Sequence, residues 1–453
     1  MKTTCRLPVP SLMKTFPTAL GALVLGALVL FTGCSKEGKV AKHTTRADAF
    51  YATGDYDKAR LEYLNVVQLD PQNGHAIGQL GNIFFENGVV LQAGAAFEQA
   101  LKLGATDPRI RARLGTLLAA GKRLDQAREN ARKALETDPT LEDAVLLLAD
   151  LANDEASAAE FKALLVQLRA QKGALPLYDT AEAIVTLKRR DAAGALALAQ
   201  KAVADDPKSA AAQFVLAGIY FTQTNQVAGE AALAKAAELS PARSTRQIQY
   251  VNFLIQRGAT NEARAQLDKV IKAAPDFVPG RLRKAQWSFA ERNYDAVSAE
   301  LNAVLTRDPS SVDARLLEAQ LYLAKREPAK AQEIMEQLIK QFPDAAQLQY
   351  QAGLASLANQ NANQAQLRLD RAYELNPNVV ETVLLRGRLY LARGQAGEVI
   401  SSTQRLLATN ATVRPAYQLL GEALVANGRD HGMVAPWRWS MRGRGTRTAP
   451  SPS

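Results

Sequence analysis

Proline recurs at Pro71, Pro139, Pro207, Pro241, Pro275, Pro309, Pro343 and Pro377, and every gap is 34 residues or twice that. A fixed period of this size marks a repeat array, in which each supersecondary unit buries its apolar face only against its neighbours. Such a chain does not build one central core. Its working part is an extended surface.

Other columns keep the same register. Ala47, Gly81, Gly115, Ala149, Ala183, Ala217, Ala285, Ala319, Gly353, Gly387 and Gly421 form a column of small residues, broken only by Val251. A second column holds Ala59, Ala93, Ala127, Ala195, Gly229, Ala263, Ala331 and Ala365, interrupted by Phe161, Val297 and Val399. Bulky residues follow the first column by three positions (Phe50, Phe84, Leu118, Tyr220) and the second by four (Tyr63, Phe97, Leu233, Leu369). Those spacings keep each set on one helical face, so each unit is two packed helices. Gly54, Gly88, Gly121, Gly258, Gly394 and Gly428 fall between the helices, where a left-handed residue ends the first one cheaply. The comb prolines, often after Asp as in Asp70-Pro71 and Asp308-Pro309, end the second.

On these columns, and on the segment from Tyr51 through Gly54-Asp55-Tyr56 to Asp70-Pro71, the chain resembles the tetratricopeptide repeat family. The resemblance implies an all-α fold, a right-handed superhelical solenoid of two-helix units. Eleven units run from about Val40 to Val413, and the first helix of a twelfth, Arg414 to Ala426, follows. The unit from about Glu142 to Leu175 departs most, with Phe161 at a small position and Gly173 in place of proline.

The N-terminus has its own character. Lys2, Arg6 and Lys14 precede an apolar run from Ala19 to Leu30, which ends in Phe31-Thr-Gly-Cys34. Too short to span a bilayer comfortably, it reads as a secretory signal over 1–33, with Met13 an alternative start. The segment resembles the bacterial lipoprotein signal, which implies that Cys34 is acylated and tethers the protein to a lipid bilayer through residues 34–39. Cys5 would leave with the signal, so no disulfide is expected. Ser35 in place of Asp after the cysteine points, on the same resemblance, to the periplasmic face of the outer membrane; inner-membrane anchoring or a periplasmic location is the alternative.

The net charge of +10 is misleading. Three bases lie in 1–33 and four (Arg438, Arg442, Arg444, Arg447) in the tail, which leaves 48 bases against 45 acids between them. A nearly balanced array is not expected to bind nucleic acid. The tail, 430–453, carries Trp437, Trp439 and those arginines, with no acid after Asp430 and no amphipathic period. It reads as a disordered arm or a translated wrong frame, leaving Leu419, Leu420, Leu424 and Val425 of the last helix uncovered.

Chemistry is sparse. His43, His75 and His431 lack metal-ligand spacing, and Gly115 to Lys122 imitates a phosphate loop with the wrong glycine spacing and Arg123 where Ser or Thr is needed. Glu142-Asp143 and Asp150 to Glu155 read as solvated helix ends. No cofactor, metal or enzymatic activity is expected. In the resembled family, first helices line a concave groove, which implies groove positions at Asn82, Arg109, Arg113, Asn252, Gln286, Gln320 and Arg388, and apolar ones at Phe85, Phe214, Phe221, Phe289 and Tyr350. Such a surface suits proteins or peptides held by apolar anchors, with polar groups setting register.

The leading expectation is a membrane-anchored scaffold in cell-envelope assembly or export. The chain resembles the long tetratricopeptide lipoproteins of exopolysaccharide and exosortase (PEP-CTERM) surface-sorting systems, including the phrase Ala100 to Pro108. Alternatives are a pilotin or barrel-assembly helper, a regulator binding polysaccharide or a cell-wall enzyme, and the non-catalytic remnant of a longer enzyme. Fold alone does not choose among them.

Overall fold

A computed structural model describes residues 35–428; the signal, Cys34 and the tail from Arg429 onward lie outside them. Every regular element among the described residues is an α-helix. The first helices of successive repeats are α1 (Lys36–Ala52), α3 (Gly74–Glu86), α5 (Pro108–Ala120), α7 (Glu142–Leu151), α9 (Pro176–Lys188), α11 (Ala210–Thr222), α13 (Thr245–Gln256), α15 (Val278–Ala290), α17 (Val312–Ala324), α19 (Ala346–Ala358), α21 (Val380–Ala392) and α23 (Arg414–Ala426). Their partners are α2 (Tyr56–Leu69), α4 (Val90–Lys102), α6 (Leu124–Thr137), α8 (Glu155–Lys172), α10 (Ala192–Asp205), α12 (Gln226–Leu239), α14 (Thr260–Ala273), α16 (Tyr294–Arg307), α18 (Pro328–Gln341), α20 (Ala362–Leu375) and α22 (Ala396–Thr409). The chain divides into two compact bodies, one ending at Phe277 and one starting at Val278. The division falls on a repeat boundary, so the first body holds repeats 1 to 7 and the second repeats 8 to 12.

The columns act as the period requires. A Cβ on Gly81 would sit 2.7 Å from the Phe97 ring, and one on Gly387 2.6 Å from Leu419. Only glycine lets those neighbours approach so closely. Ala59, Ala93, Ala127 and Ala195 are fully buried in the facing helices. The Asp-Pro steps have a definite mechanism. Proline forces the residue before it out of the helical region, and the aspartate then accepts a backbone N–H two residues on: Asp138 from Thr140 at 2.9 Å, Asp206 from Lys208 at 3.1 Å, Asp308 from Ser310 at 3.1 Å. Side chains of Asn73, Asp107, Ser209, Ser244 and Ser311 then cap the next first helix.

Three expectations need correction. Gly121 is not the left-handed residue of its turn; Lys122 is, at φ 59°, at 34-residue steps from Gly54, Gly88 and Gly258. Arg190, Thr224, Arg292, Arg326 and Gln360 hold the same place with positive φ. The presumed tether is helical from Lys36, with Ser35 accepting from the Gly38 amide at 3.0 Å. In α23, Leu419 and Leu424 are buried, while Val425 is 58% exposed.

Repeat 4 keeps the register by moving its turn. α7 is only ten residues long and α8 is eighteen, so the turn arrives three residues early. Its cause is a capping box, in which Asp154 accepts from the Ser157 amide at 2.8 Å and Ser157 Oγ accepts from the Asp154 amide at 3.2 Å. The bond from the Ser157 amide holds the Asp154 carboxyl below its usual range. With the turn displaced, Phe161 is buried with Leu165 and Leu168 where other repeats place a small residue.

Candidate functional site

Two neighbouring first helices of the first body, α3 and α5, share a polar network. α3 contributes Asn82, fully buried, and Glu86; α5 contributes Arg113, itself 9% exposed. Arg113 donates to Asn82 Oδ1 at 2.8 Å and to Glu86 Oε1 at 2.5 Å, and its guanidinium lies 5.1 Å from the Phe85 ring centroid. Asn82 donates in turn to Gln79. Arg109, one turn before Arg113, folds back on Asp107 at 2.7 Å. Burial pushes the Asp107 carboxyl up, but the Arg109 guanidinium and amide outweigh it and hold it below the usual carboxylate range.

The apolar positions are also committed. Phe85 packs on Phe97 with centroids 6.2 Å apart, and Phe221 on Phe253 at 5.2 Å. Phe214 lies 5.9 Å beneath the Arg246 guanidinium. Asn252 has a buried Oδ1 with no hydrogen-bond partner among the described residues. In this body the expected groove residues are brought together, but mostly as a ladder of packing and hydrogen bonds between repeats.

The second body is different. Gln286, Gln320 and Arg388 share one register position, with Leu354 between them. Gln286 and Arg388 are exposed and Gln320 half-buried. None of the three is engaged by a hydrogen bond or ion pair among the described residues. Phe289, half-buried, packs on Tyr294 at 6.0 Å. Tyr350 is half-buried, and burial raises its phenol above the ordinary value.

Sequence reasoning missed several groups. Arg386 lies between the rings of Tyr373 and Tyr390, at 4.8 and 4.1 Å, and bonds Asp370 at 2.5 Å. Asp179, nearly buried, takes ion pairs from Arg169 and Lys201. A 34-residue column shows which face a residue occupies; these partners sit on adjacent helices in different columns. Among the described residues no group of three His, Cys, Asp or Glu side chains is placed to hold a metal. No described helix is long and apolar enough to cross a membrane.

Paired helices at a fixed period, with their side-chain chemistry spread in ladders, define a helical-repeat protein that works through its surface. Tetratricopeptide repeat models match residues 43–73, 79–142, 180–244 and 288–357, together half of the chain. The chain belongs to the tetratricopeptide repeat family. No curated protein matches it. Among solved structures it is similar to the yeast Tom70 crystal structure (12% identity, 91% of this chain and 100% of that one, TM-score 0.39). It is also similar to the P58(IPK) TPR domain (15%, 86% and 99%, 0.29) and to the APC/C hetero-tetramer Cut9–Hcn1 (15%, 89% and 82%, 0.43).

Proposed function

We propose that the protein is a lipid-anchored, non-enzymatic scaffold of the bacterial cell envelope that holds a partner protein or peptide on the first-helix face of its second body. The observation that carries the binding site is the ladder of Gln286, Gln320 and Arg388. These side chains are spaced by the repeat and free of internal partners, whereas groove residues expected in the first body, such as Asn82 and Arg113, are consumed by contacts between repeats. Two amides and a guanidinium along a helical face suit an extended peptide whose backbone and carboxylates they can bond, with Tyr350 and Phe289 as apolar anchors.

The anchoring part rests on the sequence before Ser35. A short apolar run ending in Thr-Gly-Cys34 resembles the lipoprotein signal, and acyl chains add about 0.8 kcal/mol of membrane affinity per buried methylene. Assembly or export of surface material is the role that best suits such an anchored array, and the resemblance to exopolysaccharide and exosortase-linked lipoproteins favours it.

Crosslinking from intact membranes tests both parts. Wild type should capture a discrete set of envelope proteins, and the triple variant Gln286→Ala/Gln320→Ala/Arg388→Ala should lose them while remaining membrane-bound. Cys34→Ser should release the protein from the membrane fraction. A capture pattern unchanged by the triple variant sinks the binding site, and a Cys34→Ser protein that stays in the membrane sinks the anchor.

A further inference from the structure

The first body contains a contact that no repeat column anticipates. Arg243, in the loop before α13, places its guanidinium 4.5 Å from the centroid of the Tyr56 ring at the start of α2. Its Nε donates to Asn87 Oδ1 at 3.2 Å, in the turn after α3, and its Nη2 meets Asp276 at 2.6 Å. One side chain thus joins repeats 1 and 2 to the loops of repeats 6 and 7. Planar guanidinium suits this triple task, since it stacks on a ring while its edge donates. Burial, with help from Glu86 and Tyr51, pushes the Tyr56 phenol up to about 12, so the ring is neutral at ordinary pH.

Burial gives independent support. Asn87 is 8% and Val89 2% exposed, whereas Thr53, Gly121, Arg189 and Arg257, at 34-residue steps from Asn87, are exposed. Asp276 is 3% and Phe277 1% exposed, whereas the counterparts of Asp276 at Gln72, Thr106, Thr140 and Lys208 are exposed. The two covered segments are the ones Arg243 joins. Nearby, Arg246 in the first turn of α13 reaches Glu142 in the first turn of α7 at 3.4 Å, spanning first helices three repeats apart.

We propose that Arg243 is a clasp that closes the first body upon itself, with Arg246–Glu142 as a second bridge, so that its first-helix face is held shut until the clasp is released. The closed state depends chiefly on one cation shared by an aromatic ring, an amide and a carboxylate. An acidic segment of a partner competes for that cation directly, and opening frees the first-helix face. This last step rests on the scaffold reading; the clasp itself is tested without any partner.

The test is a pair of spin labels on the full chain, at Gln99→Cys in repeat 2 and Lys272→Cys in repeat 7, in a Cys5→Ser/Cys34→Ser background. Wild type should give one narrow distance. Arg243→Ala should add a longer distance with helical circular dichroism unchanged, and Tyr56→Leu should do so from the other side with Arg243 intact. Hydrogen exchange at residues 87–89 should accelerate in the same variants. The clasp is overturned if neither variant lengthens the distance, or if wild type is already as broad as the variants.

Discussion

The left-handed turn residue shows how a repeat tolerates local cost. Gly54, Gly88, Gly258, Gly394 and Gly428 adopt positive φ, which glycine does without steric penalty, but Lys122, Arg190, Thr224, Arg292, Arg326 and Gln360 adopt it too. An L side chain there costs about 1–2 kcal/mol, of which glycine's extra freedom in the unfolded chain returns part. Arg292 is exposed, so Arg292→Gly should raise stability by about 0.5–1 kcal/mol, read as a higher denaturant midpoint at unchanged slope. A lower midpoint would mean that the arginine makes a contact worth more than the strain. Glycine in the sequence predicted this turn in some repeats and misplaced it at Gly121, because the position is fixed by the helix pair and not by the residue that fills it.

At the scale of elements, the helix boundaries were largely legible. Prolines, small columns and capping residues are local signals, each with a mechanism that repeats every 34 residues. Repeat 4 was legible as a deviation but not in its form, since a capping box at Asp154 and Ser157 acts on the turn while Phe161 acts on the packing. Phe161 is 4% exposed among apolar neighbours, so Phe161→Ala should cost about 3 kcal/mol through lost contacts and an unfilled cavity. A loss below 1 kcal/mol in urea unfolding would show that α8 collapses onto α7 once the ring is gone. The candidate site was legible only in part. Column membership placed Asn82 and Arg113 on the first-helix face, yet gave no sign that they bond each other, and Arg243 meets Asn87 across a separation no period marks.

Across the whole molecule, six phenols respond to burial in one direction. Tyr56 is raised to about 12, and Tyr63, Tyr178, Tyr250, Tyr350 and Tyr390 are raised as well, each chiefly by burial. An acid whose folded value lies above its unfolded one contributes stability that is full below the unfolded value, near pH 10, and is lost as pH rises through the folded value. The melting temperature should therefore hold steady up to about pH 10 and fall steeply toward pH 12. Tyr56→Phe should make that fall shallower, and an identical slope would contradict the burial argument.

The covered turn at 87–89 also changes what an attacking enzyme meets. A protease needs several residues of extended chain, which an exposed turn can release by local opening and a packed one cannot. Offered the folded protein, it would find the turn near Arg292 and those at the same step around it open, and the one beside Asn87 guarded. Digestion would then leave the two helices of repeat 2 joined longer than the pair of any other repeat, for as long as Arg243 stays seated.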